Sequence, residues 1–153
     1  MDTVDHEILT ALMEDGRMTW AELSERTGLS APSVAERVHR LEGRGVIRGY
    51  AALVNGSQVG AHMTAFVAVS LSSPTTRDGF LRAVRETPEV QECHHTAGDD
   101  DYLLKVRCGG TAELEYLVSD VLKGMPGVAR TRTTVVLSTV KESVVVPLPE
   151  ARP

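Results

Sequence analysis

The sequence predicts an α+β protein of two domains: an N-terminal winged helix-turn-helix domain and a C-terminal ferredoxin-like βαββαβ sandwich. Three observations predict this fold. Two capped helix starts flank Gly28 near the N-terminus, turn-forming residues cluster at Asn55-Gly56-Ser57, and from Met63 the apolar pattern changes from a helical period to alternation. We therefore expect domains at residues 1–50 and 62–153, joined by a connecting strand or hinge at 51–61.

The first element is predicted to be a helix from about Asp2 or Thr3 to Glu14, ended by Asp15-Gly16. Apolar residues recur there at helical spacing and give the helix one buried face. These residues are Val4, Ile8, Leu9 and Leu12.

A helix-turn-helix follows directly. Thr19 and Glu22 form a capping box at the start of its first helix, and Gly28 can adopt the left-handed conformation that ends it. Ser30 then caps a second helix, with Pro32 in its first turn, where no intrahelical amide is needed. In this motif the second helix is the one that enters a DNA groove.

That second helix has two faces. A stripe of Ser and Arg lies about a quarter-turn from the apolar stripe, so it can donate to base edges and phosphates while the apolar side holds the helix on its scaffold. The alternative to a DNA contact is that these arginines simply face solvent. The glycine turn before the helix favours the DNA-binding interpretation. The residues predicted to contact DNA are Ser30, Ala31, Pro32, Ser33, Arg37, Arg40, Arg44 and Arg48.

The net charge of the whole chain is −5, and this is the one feature that argues against binding of nucleic acid. The segment from Arg26 to Arg48, however, contains five arginines and only two acidic residues, Glu36 and Glu42, which gives it a local charge of +3. DNA contact depends on such a local patch. The acidic total predicts weak non-specific affinity for one subunit, and hence binding by dimers or larger assemblies.

Short extended segments are predicted after the second helix, at Val46–Arg48 and Tyr50–Val54. They would form a wing and a connecting strand. The second domain then reads as strand, helix, strand, strand, helix, strand, at residues 63–71, 75–87, 90–97, 102–108, 111–123 and 128–140, with a short extra edge at 143–146. Two helices cover only one face of four strands, so the other face is predicted to pair with a second copy of the chain.

The hairpin register is predicted by pairing Ala97 with Tyr102 across a tight turn, which places Cys93 opposite Val106. It also sets Glu92 across from Arg107. Both cysteines are expected in the sheet or core without a disulfide.

His94-His95 followed by three aspartates at 99–101 is the one pattern that could suggest a metal or acid–base site. Adjacent strand residues point to opposite faces, and aspartates in a turn are commonly solvated, so we expect no metal and no cofactor. The sequence has no nucleophile–base pattern, phosphate loop or dinucleotide fingerprint, which predicts that the chain is not an enzyme. An acidic N-terminus and the lack of an apolar run near 20 residues predict a cytoplasmic protein that does not enter the membrane.

Taken together, these segments resemble the Lrp/AsnC family of feast/famine transcription regulators over about residues 2–147. The similar stretches include Asp15-Gly16-Arg17, Gly28-Leu29-Ser30, Gly45-Val46-Ile47-x-Gly49-Tyr50, Gly98-x-x-Asp101-Tyr102-Leu103-Leu104 and Thr131-x-Thr133. The resemblance implies an N-terminal DNA-binding domain and a C-terminal RAM-type domain that binds a small effector, usually an amino acid, at a subunit interface. It also implies homodimers that pair through the open sheet face and often assemble further, commonly into octamers.

An amino-acid effector needs donors for its carboxylate beside acceptors for its ammonium. Backbone amides near Gly98 and the Asp101 carboxylate could supply both, although Asp101 could instead cap the turn. The resemblance adds His95, Thr134 and Val136 as pocket walls. The predicted effector site comprises His95, Ala97, Gly98, Asp99, Asp100, Asp101, Tyr102, Thr134 and Val136.

Two other functions remain open at this point. One is an architectural protein that binds double-stranded DNA without an effector. The other is a ferredoxin-like small-molecule-binding or catalytic domain whose helical half only promotes assembly. The exposed row of Ser and Arg beside the Gly turn favours the regulator, because an assembly helix would not need it.

Overall fold

A computed structural model describes residues 1–149 and divides the chain into two compact units. The first unit combines Met1–Leu53 with residues 141–149, and the second is Val54–Val140. Within the described part, no helix is both long and apolar enough to span a membrane.

Three helices build the first unit: α1 (Thr3–Glu14), α2 (Trp20–Thr27) and α3 (Ala31–Gly43). Helices α2 and α3 begin after their predicted caps Thr19 and Ser30, and α1 has its predicted bounds, so the predicted helices are confirmed. Their shared core is apolar, and a leucine from the C-terminal segment, Leu148, packs against it. The fully buried members of this core are Ile8, Ala11, Leu23, Val34, Val38 and Leu41.

The predicted wing does not form strands. Residues 44–55 contain no strand, and the backbone amides of Val46 and Ile47 instead bond back to the Leu41 carbonyl at 2.9 and 3.3 Å. Gly45 and Gly49 have φ values of 69° and 150°, which interrupt an extended chain. Ile47 consequently packs against the helical core.

The second unit is the predicted sandwich. Its elements are β1 (Met63–Leu71), α4 (Arg77–Glu86), β2 (Val90–His95), β3 (Tyr102–Cys108), α5 (Thr111–Tyr116) and β4 (Val128–Val135). A 3-10 turn at Pro74–Thr76 precedes α4, and a π-helical segment at Leu117–Leu122 extends α5. All neighbouring strands are antiparallel in the order β2-β3-β1-β4, the arrangement of the ferredoxin-like fold.

The two faces of the sheet differ in cover. Alternate residues of β1 and β3, such as Val67 and Leu104, are buried against Phe80 of α4 and Leu114 of α5. The opposite residues form what we call the open face. It carries Thr64, Phe66, Ala68 and Ser70 from β1, Leu103, Lys105 and Arg107 from β3, and Arg130, Arg132 and Thr134 from β4.

Three strand predictions need correction. The strand predicted to run to Val140 ends at Val135, where its regular pairing with β1 stops at Ala65; beyond it, the Val136 amide still donates to the Thr64 carbonyl at 2.9 Å. The strand predicted to run to Ala97 ends at His95, and the segment at 143–146 forms no strand. The residues from Lys141 on group with the first unit, whereas the sequence analysis assigned them to the second domain; residues 150–153 of that assignment lie outside the described residues.

The hairpin register is displaced by two residues from the prediction. His95, and not Ala97, pairs with Tyr102, so Cys93 lies opposite Leu104. A shift of two residues keeps every side chain on its predicted face. Both cysteines are free thiols, and Glu92 pairs with Lys105 through a 3.2 Å ion pair in place of the predicted Arg107 partner.

Candidate DNA-binding and effector sites

The turn between α2 and α3 is fixed by local contacts. Glu22 accepts the amide proton of Thr19 at 2.7 Å while the Thr19 hydroxyl accepts that of Glu22 at 3.3 Å. Gly28 ends α2 in the left-handed conformation with a φ of 69°. The Ser30 hydroxyl then caps α3 by accepting from the Ser33 amide. These interactions span three residues, which is why the sequence alone predicted them.

Helix α3 has the two faces that a groove-binding helix requires. Val34, Val38 and Leu41 are fully buried in the core of the first unit. Among the residues predicted to contact DNA, most are exposed, while Ala31 and Arg37 are half-buried. The exposed ones are Ser30, Pro32, Ser33, Arg40, Arg44 and Arg48.

Arg37 is held by carboxylates of α1 and its N-cap. Its Nη1 donates to both Asp2 oxygens at 3.0 and 2.7 Å and to Asp5 Oδ1 at 2.7 Å. These contacts raise the pKa of the guanidinium and, with the Asp5 amide contributing most, lower the pKa of the Asp2 carboxyl. Arg40 Nη2 also reaches Asp5 Oδ1, at 3.3 Å.

Sequence reasoning missed this network. The signal was present as two acidic residues three apart, one at the N-cap and one in α1, and as two arginines three apart in α3. Pairing them requires knowing how α1 packs on α3, and that information is not local.

A cleft of about 220 Å³ lies at the turn before β3. Two apolar residues of the open face, Ala68 and Leu103, line it together with the Arg132 guanidinium of β4. The remaining lining comes from the turn and the start of β3, namely Thr96, Gly98, Asp99, Asp100 and Tyr102. The cleft thus combines an apolar part, one cation and an exposed carboxylate at Asp99.

Asp100 is the buried carboxylate beside this cleft. It accepts hydrogen bonds from the Ser70 hydroxyl at 2.7 Å, from Arg130 Nη2 at 3.0 Å and from Arg132 Nη2 at 2.7 Å. The Ser70 hydrogen bond, followed by the arginines, lowers the pKa of the Asp100 carboxyl. Asp100 therefore stays ionised and orients Arg132 at the rim of the cleft.

The structure brings four of the nine predicted effector residues to the cleft: Gly98, Asp99, Asp100 and Tyr102. It does not bring His95, Ala97, Asp101, Thr134 or Val136 there. Sequence reasoning missed Ala68, Thr96, Leu103 and Arg132. Strand register could have identified three of these, because Ala68 pairs with both Leu103 and Arg132 on the open face.

His95 and Thr134 cannot share one pocket within a single chain. His95 belongs to β2 and pairs with buried Tyr102, so it points to the helix side at one edge of the sheet. Thr134 belongs to β4, at the other edge, and pairs with Phe66 of the open face. The resemblance implied that both residues line one pocket, and within one subunit they do not.

The histidine and aspartate pattern at 94–101 does not converge. His94 lies on the open face, where its Nε2 is 3.1 Å from Glu92 Oε2, and His95 lies on the other face. Across residues 1–149, no three side chains of His, Cys, Asp or Glu are grouped so as to hold one metal ion.

Comparison with known proteins agrees with both halves of this architecture. The family description of the AsnC-type helix-turn-helix domain matches residues 1–42, and that of the Lrp/AsnC ligand binding domain matches residues 64–146. The leucine-responsive regulatory protein of Escherichia coli is 43% identical over 145 residues, covering 94% of this chain and 88% of that protein.

Solved structures show the same relationship. A transcriptional regulator of Neisseria meningitidis, in complex with L-Met, superposes with a TM-score of 0.92 at 35% identity and covers 96% of each chain. The feast or famine regulatory protein of M. tuberculosis, complexed with L-methionine, gives a TM-score of 0.88 at 36% identity over 95% of this chain and 97% of its own. The family consists of transcriptional regulators and not enzymes, and this chain belongs to it: it is a member of the Lrp/AsnC family of transcriptional regulators.

Proposed function

We propose that this regulator responds to a free amino acid bound in the cleft at residues 96–103. The observation that carries the proposal is the cleft itself, where the Arg132 cation and the Asp99 carboxylate flank the apolar Ala68 and Leu103. A zwitterion with an uncharged side chain matches that arrangement of charges. Two similar proteins of known structure are complexes with L-methionine, and another relative is named for its response to leucine.

Each group of the ligand has a partner in this scheme. The Arg132 guanidinium donates to the ligand carboxylate in a charge-assisted pair, the geometry for which arginine is best suited. Asp99 is exposed and accepts from the ammonium, because Asp100 already holds three donors. Gly98 has no Cβ and open space around it, so the backbone can approach the ligand.

A thermal-shift screen of the full chain against the twenty amino acids tests the proposal. A ligand present at about 100 times its Kd should stabilise the protein by roughly 2.7 kcal/mol. Calorimetry with the best ligand should then show loss of binding in Arg132→Gln. Arg82→Gln, which removes an exposed arginine of α4, should bind normally. Equal affinity in the two variants would contradict the proposed site.

On the DNA side, we propose that a homodimer places two copies of α3 in successive major grooves of a pseudo-palindromic duplex. The exposed Ser30, Ser33, Arg40 and Arg44 support this placement, since they form one polar row beside the buried stripe. Half-sites should then lie about one helical turn, roughly 10 base pairs, apart or a multiple of that. Footprinting on the protein's own promoter tests the spacing, and a single unrepeated half-site would contradict it.

Dimer formation through the open sheet face is part of the same proposal, with further association of dimers into an assembly such as an octamer. The open face carries Phe66, which is 37% exposed in the isolated chain, beside half-buried Ala68 and Leu103. Covering such a face with a second copy is the simplest arrangement for a sheet with helices on one side. Because the ligand and the chromosome meet there, the proposed place of action is the cytoplasm.

A further inference from the structure

Asp5 of α1 is a carboxylate in the core of the first unit. Its side chain is only 3% exposed. The next buried residues of α1 after it are Ile8 and Leu9. Burying a carboxylate is unfavourable unless opposite charge and hydrogen bonds compensate it. Here the compensation comes from helix α3, through Arg37 Nη1 at 2.7 Å and Arg40 Nη2 at 3.3 Å.

The two arginines are engaged to different extents. Arg37 is 25% exposed and shares Nη1 among three carboxylate oxygens of Asp2 and Asp5. Arg40 is 50% exposed, and its described contact to Asp5 uses Nη2. A guanidinium carries five N–H donors. Arg40 therefore retains N–H groups on its outer side that can donate hydrogen bonds to a phosphate oxygen.

From this asymmetry we propose that Asp5 is a positioning residue for DNA recognition, which fixes Arg37 as a structural cation and presents Arg40 to a DNA phosphate. The inference rests on the proposal that α3 is the helix in the groove. It divides the predicted arginine row into two roles: Arg37 joins α3 to α1, and Arg40 contacts DNA.

Charge gives Asp5 a second effect. Asp2 and Asp5 balance Arg37 and Arg40, so the inner part of the arginine row adds little net charge to the DNA-facing surface. Non-specific DNA binding depends on net positive charge, whereas specific binding depends on correctly placed donors. Asp5 therefore favours the selected site over random DNA.

The test uses the full-length chain and two probes: a duplex obtained by selecting from a random pool with the wild-type protein, and poly(dI-dC) as non-specific DNA. Asp5→Asn should weaken binding to the selected duplex by about tenfold or more and strengthen binding to poly(dI-dC), which a purely structural role would not do. Glu7→Gln is the matched control. It removes the same charge from an exposed position of α1 and should leave the ratio of the two affinities unchanged.

The salt dependence separates the two arginines. Arg40→Gln should lower the slope of log K against log salt by about 0.9 per subunit with little change in Tm, because one phosphate contact is lost. Arg37→Gln should lower Tm and leave that slope unchanged. Arg37→Lys keeps a cation beside the carboxylates and serves as the variant for binding if Arg37→Gln does not fold.

Two results would overturn the inference. One is a reduced salt slope in the Arg37 variant at wild-type Tm, and the other is an unchanged affinity ratio in Asp5→Asn. Failure of the wild-type protein to select any sequence would be a different outcome, since it would overturn the groove assignment of α3 and the role of Asp5 along with it.

Discussion

The Asp101 carboxylate accepts a hydrogen bond from the backbone amide of Leu71 at 2.7 Å. The Asp101 amide in turn donates to the Val69 carbonyl at 2.9 Å. These two contacts join the turn before β3 to the end of β1. They give the Asp101 carboxylate a structural role at β1, outside its own hairpin turn, and for this reason the proposed function gives recognition of the ligand ammonium to the neighbouring Asp99.

Asp101→Ala should therefore destabilise the fold more than it weakens ligand binding. Losing a hydrogen bond from a backbone amide to a carboxylate costs about 1–2 kcal/mol, and thermal unfolding of the full chain measures it. Asp99→Ala provides the comparison and should lose ligand affinity at unchanged Tm. The opposite pattern, with Asp101→Ala stable and unable to bind, would restore the ammonium role to Asp101.

Asp100 predicts a pH dependence of stability. Its pKa is lowered from 3.8 in the folded protein, so the unfolded chain takes up a proton first as the pH falls. The stabilisation from Asp100 is fully present above the unfolded pKa and is lost as the pH falls through the folded pKa. The difference in Tm between wild type and Asp100→Asn should be constant above about pH 5 and shrink below about pH 4. A difference that grows on acidification would contradict the ion-pair network.

The open sheet face predicts the effect of a charge at Phe66. Phe66→Glu should convert the dimer into a monomer in light scattering at micromolar concentration, because it removes an apolar side chain from the open face and would require a carboxylate to lose its water between the two sheets. Tyr116→Glu places the same charge at an exposed aromatic of α5, on the helix side, and should remain dimeric. Dimers of unchanged affinity in Phe66→Glu would mean that subunits pair elsewhere.

Leu148 predicts that the C-terminal segment stabilises the DNA-binding unit. Leu148→Ala should lower the free energy of unfolding of that unit by about 1–2 kcal/mol, less than a fully buried leucine would. Fluorescence of Trp20, the one tryptophan of the chain, reports unfolding of this unit selectively. The control is Leu137→Ala, whose side chain is 97% exposed and should contribute nothing measurable.

The sequence was sufficient wherever structure depends on neighbours along the chain. The capping box at Thr19, the left-handed Gly28 and the alternation in β1 and β3 involve residues two to four apart. The order of strands and helices followed from the same signals and led to the correct fold.

Prediction from the sequence failed where the structure of a segment depends on residues distant along the chain. The end of β4 depends on its pairing with β1, and the wing required a strand partner that residues 44–55 do not find. The candidate site shows the same limit. The turn at 98–101 could be located from its glycine and aspartates, whereas the role of Arg132 depends on the register between β1 and β4.

The packing of Leu148 on the helical core has a consequence for synthesis of the chain. The core of the DNA-binding unit is assembled from residues on both sides of 54–140, so it is complete only after the entire effector unit has left the ribosome. A nascent or prematurely terminated chain carries the capped helices but lacks the side chain that closes their core. Under the proposed function, full stability of the DNA-binding unit is acquired late, by chains that already carry the proposed effector cleft.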